Sequence, residues 1–147
     1  MIKTFRGMME HNTIQKIRLS NKKGKIGYRI VKFQMMSNSP ASVAVEAIMK
    51  IFKITQSSAT PVFDFSDGNL LAGGYYVANT TPTAPSTQNV IFEQEIFNQD
   101  VYVTYFDNYG ATEPCNYYLE LETISLTDNA AAVSTLRDIR LNPQVGA

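Results

Sequence analysis

The sequence predicts a mainly β protein: an antiparallel, jelly-roll-like β-sandwich with a short C-terminal helix, in one domain spanning 1–147. Three observations lead there. Apolar and polar residues alternate with period 2 over several stretches, the spacing of a strand with one buried face. Eight Tyr and eight Phe, with no Trp, supply large side chains suited to a pleated surface. Turn residues punctuate the chain often enough for roughly seven or eight short strands, the pattern of a two-sheet sandwich or barrel. No repeat, low-complexity tract or second domain boundary interrupts it, and the length suits one domain.

The elements follow in order. Residues 13–19 read as a short strand, Ser20-Asn21-Lys22-Lys23-Gly24 as the loop after it, and 27–36 as a longer strand with Val31, Phe33 and Met35 facing inward. Residues 46–54 are apolar on both faces, Met49 and Ile51 on one and Ile48, Phe52 and Ile54 on the other. A short β-branched run of this kind reads as a strand buried on both sides or covered by a partner. Ser66 can cap a helical turn over 67–71, ended by Gly73-Gly74. Strands follow at 74–78 and 90–93, separated by a polar, proline-broken loop. The clearest alternation is 117–124, where Tyr117, Leu119, Leu121 and Thr123 share one face, and Tyr118, Glu120, Glu122 and Ile124 the other. With the aromatic run 101–106 and the turn residues Asp107-Asn108-Tyr109-Gly110, it predicts an antiparallel hairpin over 100–126. Thr127 or Asp128 can cap a helix over 130–140, whose Val133, Leu136 and Ile139 form one stripe.

Composition narrows the function classes. Hydrophobic residues make up 44% and charged residues 18%, the balance of a folded domain. A single Cys excludes an internal disulfide framework and a Cys-based zinc site. A single His excludes sites that need two imidazoles. The opening Met1-Ile2-Lys3-Thr4-Phe5-Arg6 lacks a signal-peptide core, and no run approaches the ~18 apolar residues of a membrane span, so a soluble domain is expected. No cofactor is expected.

Net charge is zero but segregated. Residues 1–53 hold eleven Lys and Arg against two acids, a net of +9; residues 54–136 hold ten acids and no Lys or Arg, a net of −10. The halves can meet in one sheet and neutralise each other, or present complementary faces to partners. The densest basic stretch, Lys22-Lys23-Gly24-Lys25 with Lys16, Arg18, Arg29 and Lys32, is a candidate docking patch, and Tyr28 could stack beside it. An isoelectric point near 6.6 argues against nucleic acid as the partner. The apolar residues Ile48, Phe52 and Ile54 are the second candidate interaction surface.

Catalytic constellations are thin. His11 sits in a polar turn with no nucleophile motif nearby. Cys115 has no base or cation near it in sequence, and so reads as a buried strand residue. Glu120/Glu122 and Glu93/Glu95 each place two carboxylates on one strand face, a spacing compatible with glycoside hydrolysis and equally with a solvated face. Asp64-Phe65-Ser66-Asp67-Gly68-Asn69 superficially suggests calcium, but the offsets depart from the EF-hand loop, and helix capping is the better reading. Gly73-Gly74 lacks the Lys-Ser/Thr of a phosphate-binding loop. The expectation is a protein that is not an enzyme.

A resemblance extends this. Ile2-Lys3-Thr4-Phe5-Arg6-Gly7, Gly27-Tyr28-Arg29-Ile30-Val31-Lys32-Phe33, Lys50-Ile51-Phe52-Lys53, Ile96-Phe97-Asn98-Gln99-Asp100 and Thr135-Leu136-Arg137-Asp138-Ile139-Arg140 together resemble small virion-associated proteins of marine tailed phages. The resemblance spans most of the chain and brings no catalytic motif. It implies a capsid decoration, or cement, protein at the capsid surface, a homo-oligomer with a trimer favoured, and the major capsid protein as partner. The alternative is a receptor- or glycan-binding module of a phage fibre, with Tyr75, Tyr76, Tyr105 and Tyr109 able to stack on sugars.

Overall fold

The computed structural model describes residues 1–19, 25–78, 86–110 and 112–126. The predicted 130–140 helix, the 20–24 loop with Lys22 and Lys23, and most of the proline-broken loop lie outside these residues. Among the described residues there are eight strands: β1 (Ile2–Met9), β2 (Thr13–Ile17), β3 (Ile26–Ser37), β4 (Val45–Phe52), β5 (Leu70–Ala78), β6 (Ser86–Ile91), β7 (Val101–Asp107) and β8 (Cys115–Ser125). They form a three-stranded sheet A, ordered β1-β8-β3, and a five-stranded sheet B, ordered β2-β7-β4-β5-β6. All the strand pairings are antiparallel. The nested pairs β1-β8, β2-β7 and β4-β5 are those of one long hairpin wrapped into two sheets, the jelly-roll principle. The remaining pair, β3 and β6, is joined by a side chain: Asn89 Nδ2 donates to the Phe33 carbonyl at 2.9 Å. The fold is thus the antiparallel β-sandwich that the alternation predicts.

The core is the interior between the sheets. Leu119 and Leu121 of β8 face Val45, Ala47, Met49 and Ile51 of β4 within one cluster of buried side chains. Two glycines admit close approaches, Gly74 between the sheets and Gly7 beneath the ring of its cross-strand neighbour. A Cβ on Gly74 would fall 2.9 Å from the Phe33 ring and closer still to Met35 Sδ. One on Gly7 would lie 3.1 Å from the Tyr117 ring, whose hydroxyl crosses to Gln15 of β2 at 3.0 Å.

Several expectations are corrected. The 100–126 hairpin does not form, because β7 and β8 belong to different sheets. Strand β7 buries residues on both faces, including Thr104, whereas the outer residues of β8 stay half-exposed. Each strand therefore suits a different layer, and the turn residues organise a crossing loop. Asp107 holds that loop, its carboxylate accepting backbone N–H groups from Glu46, Tyr109 and Glu113 at 3.0–3.2 Å. In β3 the register against β8 shifts at Val31, between Ile30 and Lys32. A bulge changes the parity of the face, so Tyr28 and Ile30 point inward before it and Phe33 and Met35 after it, with Val31 only half-buried.

The helical turn at 67–71 is absent. Asp64 Oδ1 accepts from the Ser66 N–H at 3.0 Å and Asp67 Oδ1 from the Asn69 N–H at 2.9 Å, two successive Asx turns, and Leu70 and Leu71 already belong to β5. Glu93 and Glu95 fall in and just after a turn, off any strand. Strand β1 escapes the alternation rule because its inner face holds only Phe5, Gly7 and Met9 beside Lys3.

Candidate functional site

Strand β4 is apolar on both faces, as its sequence implies, and both faces are covered within the chain. Val45, Ala47, Met49 and Ile51 meet sheet A, while Ile48, Lys50 and Phe52 lie on the outer face of sheet B and are buried there. Residues 53–69 cover part of that outer face. The Lys50 ammonium, only 5% exposed, donates to Thr60 Oγ1 at 2.8 Å and to the Val62 carbonyl at 2.6 Å, over the Phe52 ring. Phe63 packs where Gly73 leaves space on β5. The proposed interaction surface of Ile48 and Phe52 is therefore corrected: both are interior, and only Ile54 is half-exposed.

Of the basic patch, Lys22 and Lys23 lie outside the described residues, and two of its described members are paired with acids. Lys16 pairs with Asp100 at 3.3 Å, Arg29 with Glu122 at 2.6 Å, and the buried Lys53 with Glu95 at 2.7 Å. Each pair joins the basic N-terminal half to the acidic half. Lys32 lies opposite Glu120 in register. Much of the charge division is thus neutralised across the fold. Lys25 flanks β3, its carbonyl accepting from the Leu126 N–H at 2.7 Å. Tyr28 is buried, its hydroxyl donating to the Leu19 carbonyl at 3.2 Å, so it is no stacking platform.

The chemically suggestive groups are held in structural roles. His11 Nδ1 accepts the Asp107 N–H at 2.9 Å, and its ring packs on Phe106, which leaves the imidazole proton on Nε2. Cys115 is buried, and burial pushes its thiol up to about 12, with Asp107 and Glu113 adding to the rise. A thiol this protonated is not a nucleophile. Tyr105 donates to the Glu113 carbonyl at 2.5 Å, and burial first, then nearby Cys115 and the acids, hold its hydroxyl far above the usual range. Among the described residues no group of three His, Cys, Asp or Glu side chains could hold a metal ion.

Among the described residues, what remains open is the outer face of sheet A. Register places Arg6, Tyr118 and Gln34 in one row across the three strands, and Met8, Asn116 and Met36 in the next. These rows line a groove of about 630 Å³, bordered by Thr87 and Asn89 of β6. Met8 and Met36 are 52% and 59% exposed. Tyr118, half-buried at the centre, donates to Glu120 Oε1 at 3.1 Å. The arrangement combines an aromatic ring, two flexible thioethers and fork-shaped amide and guanidinium groups, the chemistry of a recognition surface. Sequence reading missed it because its residues come from three strands in two register rows. Tyr118 was legible only as an outward residue of β8. Of the tyrosines expected to stack on sugars, Tyr76 and Tyr105 are buried, Tyr75 is half-buried and Tyr109 is exposed.

Fold and site together define a jelly-roll-like β-sandwich with a grooved sheet face that is open among the described residues. In comparisons with known proteins the chain matches no protein-family model, no curated protein and no solved structure.

Proposed function

We propose that this chain is a structural component of a phage virion, a decoration protein that binds the capsid surface as an oligomer and stabilises it. The observation that carries the reading is the outer face of sheet A, open among the described residues, with Met8 and Met36 exposed beside a groove. Exposed apolar residues grouped on one flat face mark a docking surface. The resemblance to marine phage virion proteins names the surface it meets, the major capsid protein. A fold whose His, Cys and buried acids serve packing and loop geometry suits an assembly role.

The test is imaging of purified virions together with binding to capsids stripped of the protein. Met8→Lys and Met36→Lys should abolish attachment while the isolated protein stays folded. Unchanged attachment by the double variant, or absence of the protein from virion capsids, refutes the reading. A second reading rests on the same groove: Tyr118 flanked by Arg6, Gln34 and Asn116 can recognise a saccharide, the ring stacking on its CH face and the forked groups bonding vicinal hydroxyls. Glycan-array binding that Tyr118→Ala removes, with no capsid attachment, would establish it instead.

A further inference from the structure

Two further surfaces remain. At the end of sheet B where β5 begins and β6 ends, Phe63, Phe65 and Phe92 stack edge to face, at 6.5 and 5.3 Å between ring centroids. Phe65 is 54% exposed and the adjacent Val62 is 64% exposed. Asp64 and Glu93 are exposed around them and Asp67 half-exposed. Of the nearest lysines, Lys53 is buried on Glu95 and Lys50, buried on the covering loop, faces Asp67 alone among these acids, which leaves Asp64 and Glu93 as the exposed rim. This is an apolar knob with an acidic rim.

The second surface lies at the same end of the sandwich, where β1 and β3 begin and β2 ends. A groove of about 550 Å³ is floored by Phe5, Leu19 and Tyr28, edged by Ile26, and rimmed by Lys3 and Arg18. Both rim cations are exposed, and Lys3 Nζ stands 5.8 Å from the Tyr28 ring centroid. It is an apolar hole with a basic rim, larger than a phenyl ring needs. The order of sheet B places the knob toward β5 and β6 and the end of β2, with its Arg18, at the opposite edge.

We propose that the knob of one copy seats in the hole of another, so that the chain self-associates head to tail. Charge selects this pairing. A two-fold contact of knob on knob would set Asp64 and Glu93 against their own copies, and hole on hole would oppose Lys3 and Arg18 to theirs; like charges facing one another disfavour both. Knob in hole brings acid to base and buries an exposed Phe, a side chain able to anchor an interface. Such a heterologous contact closes into a ring when the rotation between copies permits and otherwise extends. The proposal deepens the oligomer of the preceding reading, and because it concerns isolated protein it can fail while capsid attachment stands.

The experiment is size exclusion with light scattering over a concentration series at low and high salt. Wild type should exceed 16.4 kDa by a whole-number factor and weaken as salt screens the rims. Phe65→Ser should weaken association by at least roughly 30-fold, and Lys3→Glu with Arg18→Glu should do the same at low salt. Circular dichroism checks that each variant folds, and Val62→Ser at the same knob serves if Phe65→Ser does not. An equal mixture of the two blocked variants still contains one intact knob and one intact hole, and should form a dimer that goes no further. Wild type monomeric at every concentration overturns the proposal. So does oligomerisation that survives both variants, or a mixture that stays monomeric.

Discussion

The two outer faces of this sandwich are treated in opposite ways. Sheet B is dressed by its own chain: residues 53–69 lie over β4 at Lys50, and Ile48, Lys50 and Phe52 are all buried on that face. Among the described residues nothing lies over sheet A, and its outer rows run from the Arg29–Glu122 pair to the exposed Met8 and Met36. The difference begins in the strands. β4 is apolar at successive positions and cannot leave either face in water, whereas β8 alternates Leu119 and Leu121 with Tyr118, Glu120 and Glu122 and tolerates solvent on one side. A two-sided apolar strand announces that a cover is needed; it does not say whether the cover is a partner or a later piece of the same chain.

The largest effect that would break this comparison is at Ile48. If the outer face of sheet B is interior, Ile48→Ala should cost about 2–5 kcal/mol in denaturant unfolding, as a core truncation does. Met36→Ala on the outer face of sheet A should stay within about 0.5 kcal/mol. Equal small effects at both positions would mean the cover does not close. Next is Lys50. Lys50→Ala leaves the Val62 carbonyl and Thr60 without their donor and should cost about 1–3 kcal/mol, with faster proteolysis within 53–69.

Titration sharpens the same point with two opposite signs. Burial lowers the Lys50 pKa from the ordinary 10.5, with Asp67 acting in the other direction. The unfolded chain then binds the proton more readily, and the Lys50 contribution rises as pH climbs toward 10.5. The stability of wild type relative to Lys50→Met should increase with pH in that window; a flat difference would contradict the burial. Cys115 behaves oppositely, its folded pKa being raised from 9.0 to about 12. Its contribution is complete below 9.0 and is lost as pH rises toward 12, so Cys115→Ala should lack that loss. The native thiol should also react with a disulfide reagent only after unfolding. The smallest effect is Arg29→Ala on the outer face of sheet A. With both side chains more than a third exposed, its pairing with Glu122 is expected to contribute about 0.2–1 kcal/mol, and high salt should erase the difference.

Much of the architecture was legible, for reasons particular to each strand. The Leu face of β8 is read directly from its period of 2, and the inward Phe33 and Met35 of β3 likewise. Val31 was misplaced because a bulge leaves no mark in an alternation pattern until the partner strand is known. The 100–126 hairpin was misplaced because Asp107 and Gly110 mark a reversal of chain direction without stating that the chain also changes sheets. The Asp64 and Asp67 turns were read as a cap, since the same side chain–backbone bond serves both. The groove on sheet A was not legible at all: Arg6, Gln34 and Tyr118 are far apart in sequence and become neighbours only through the β1-β8-β3 register.

Local chemistry in the chain determined that it forms strands, which residues of the clearest strand point inward, and that β4 must be buried twice. Those properties depend on the order of apolar and polar residues within a few positions, because strand geometry turns that order into a face. Tertiary structure alone decided the strand order, the partial covering of β4 by residues 53–69, the neutralisation of Lys16, Arg29 and Lys53 by acids 42 to 93 positions away, and the assembly of the open face. Each of these requires segments distant in sequence to meet. Which distant segments meet is settled by the packing of the whole core, with Gly74 admitting the close approach of Phe33 and Met35 from the other sheet, and no local pattern carries that information.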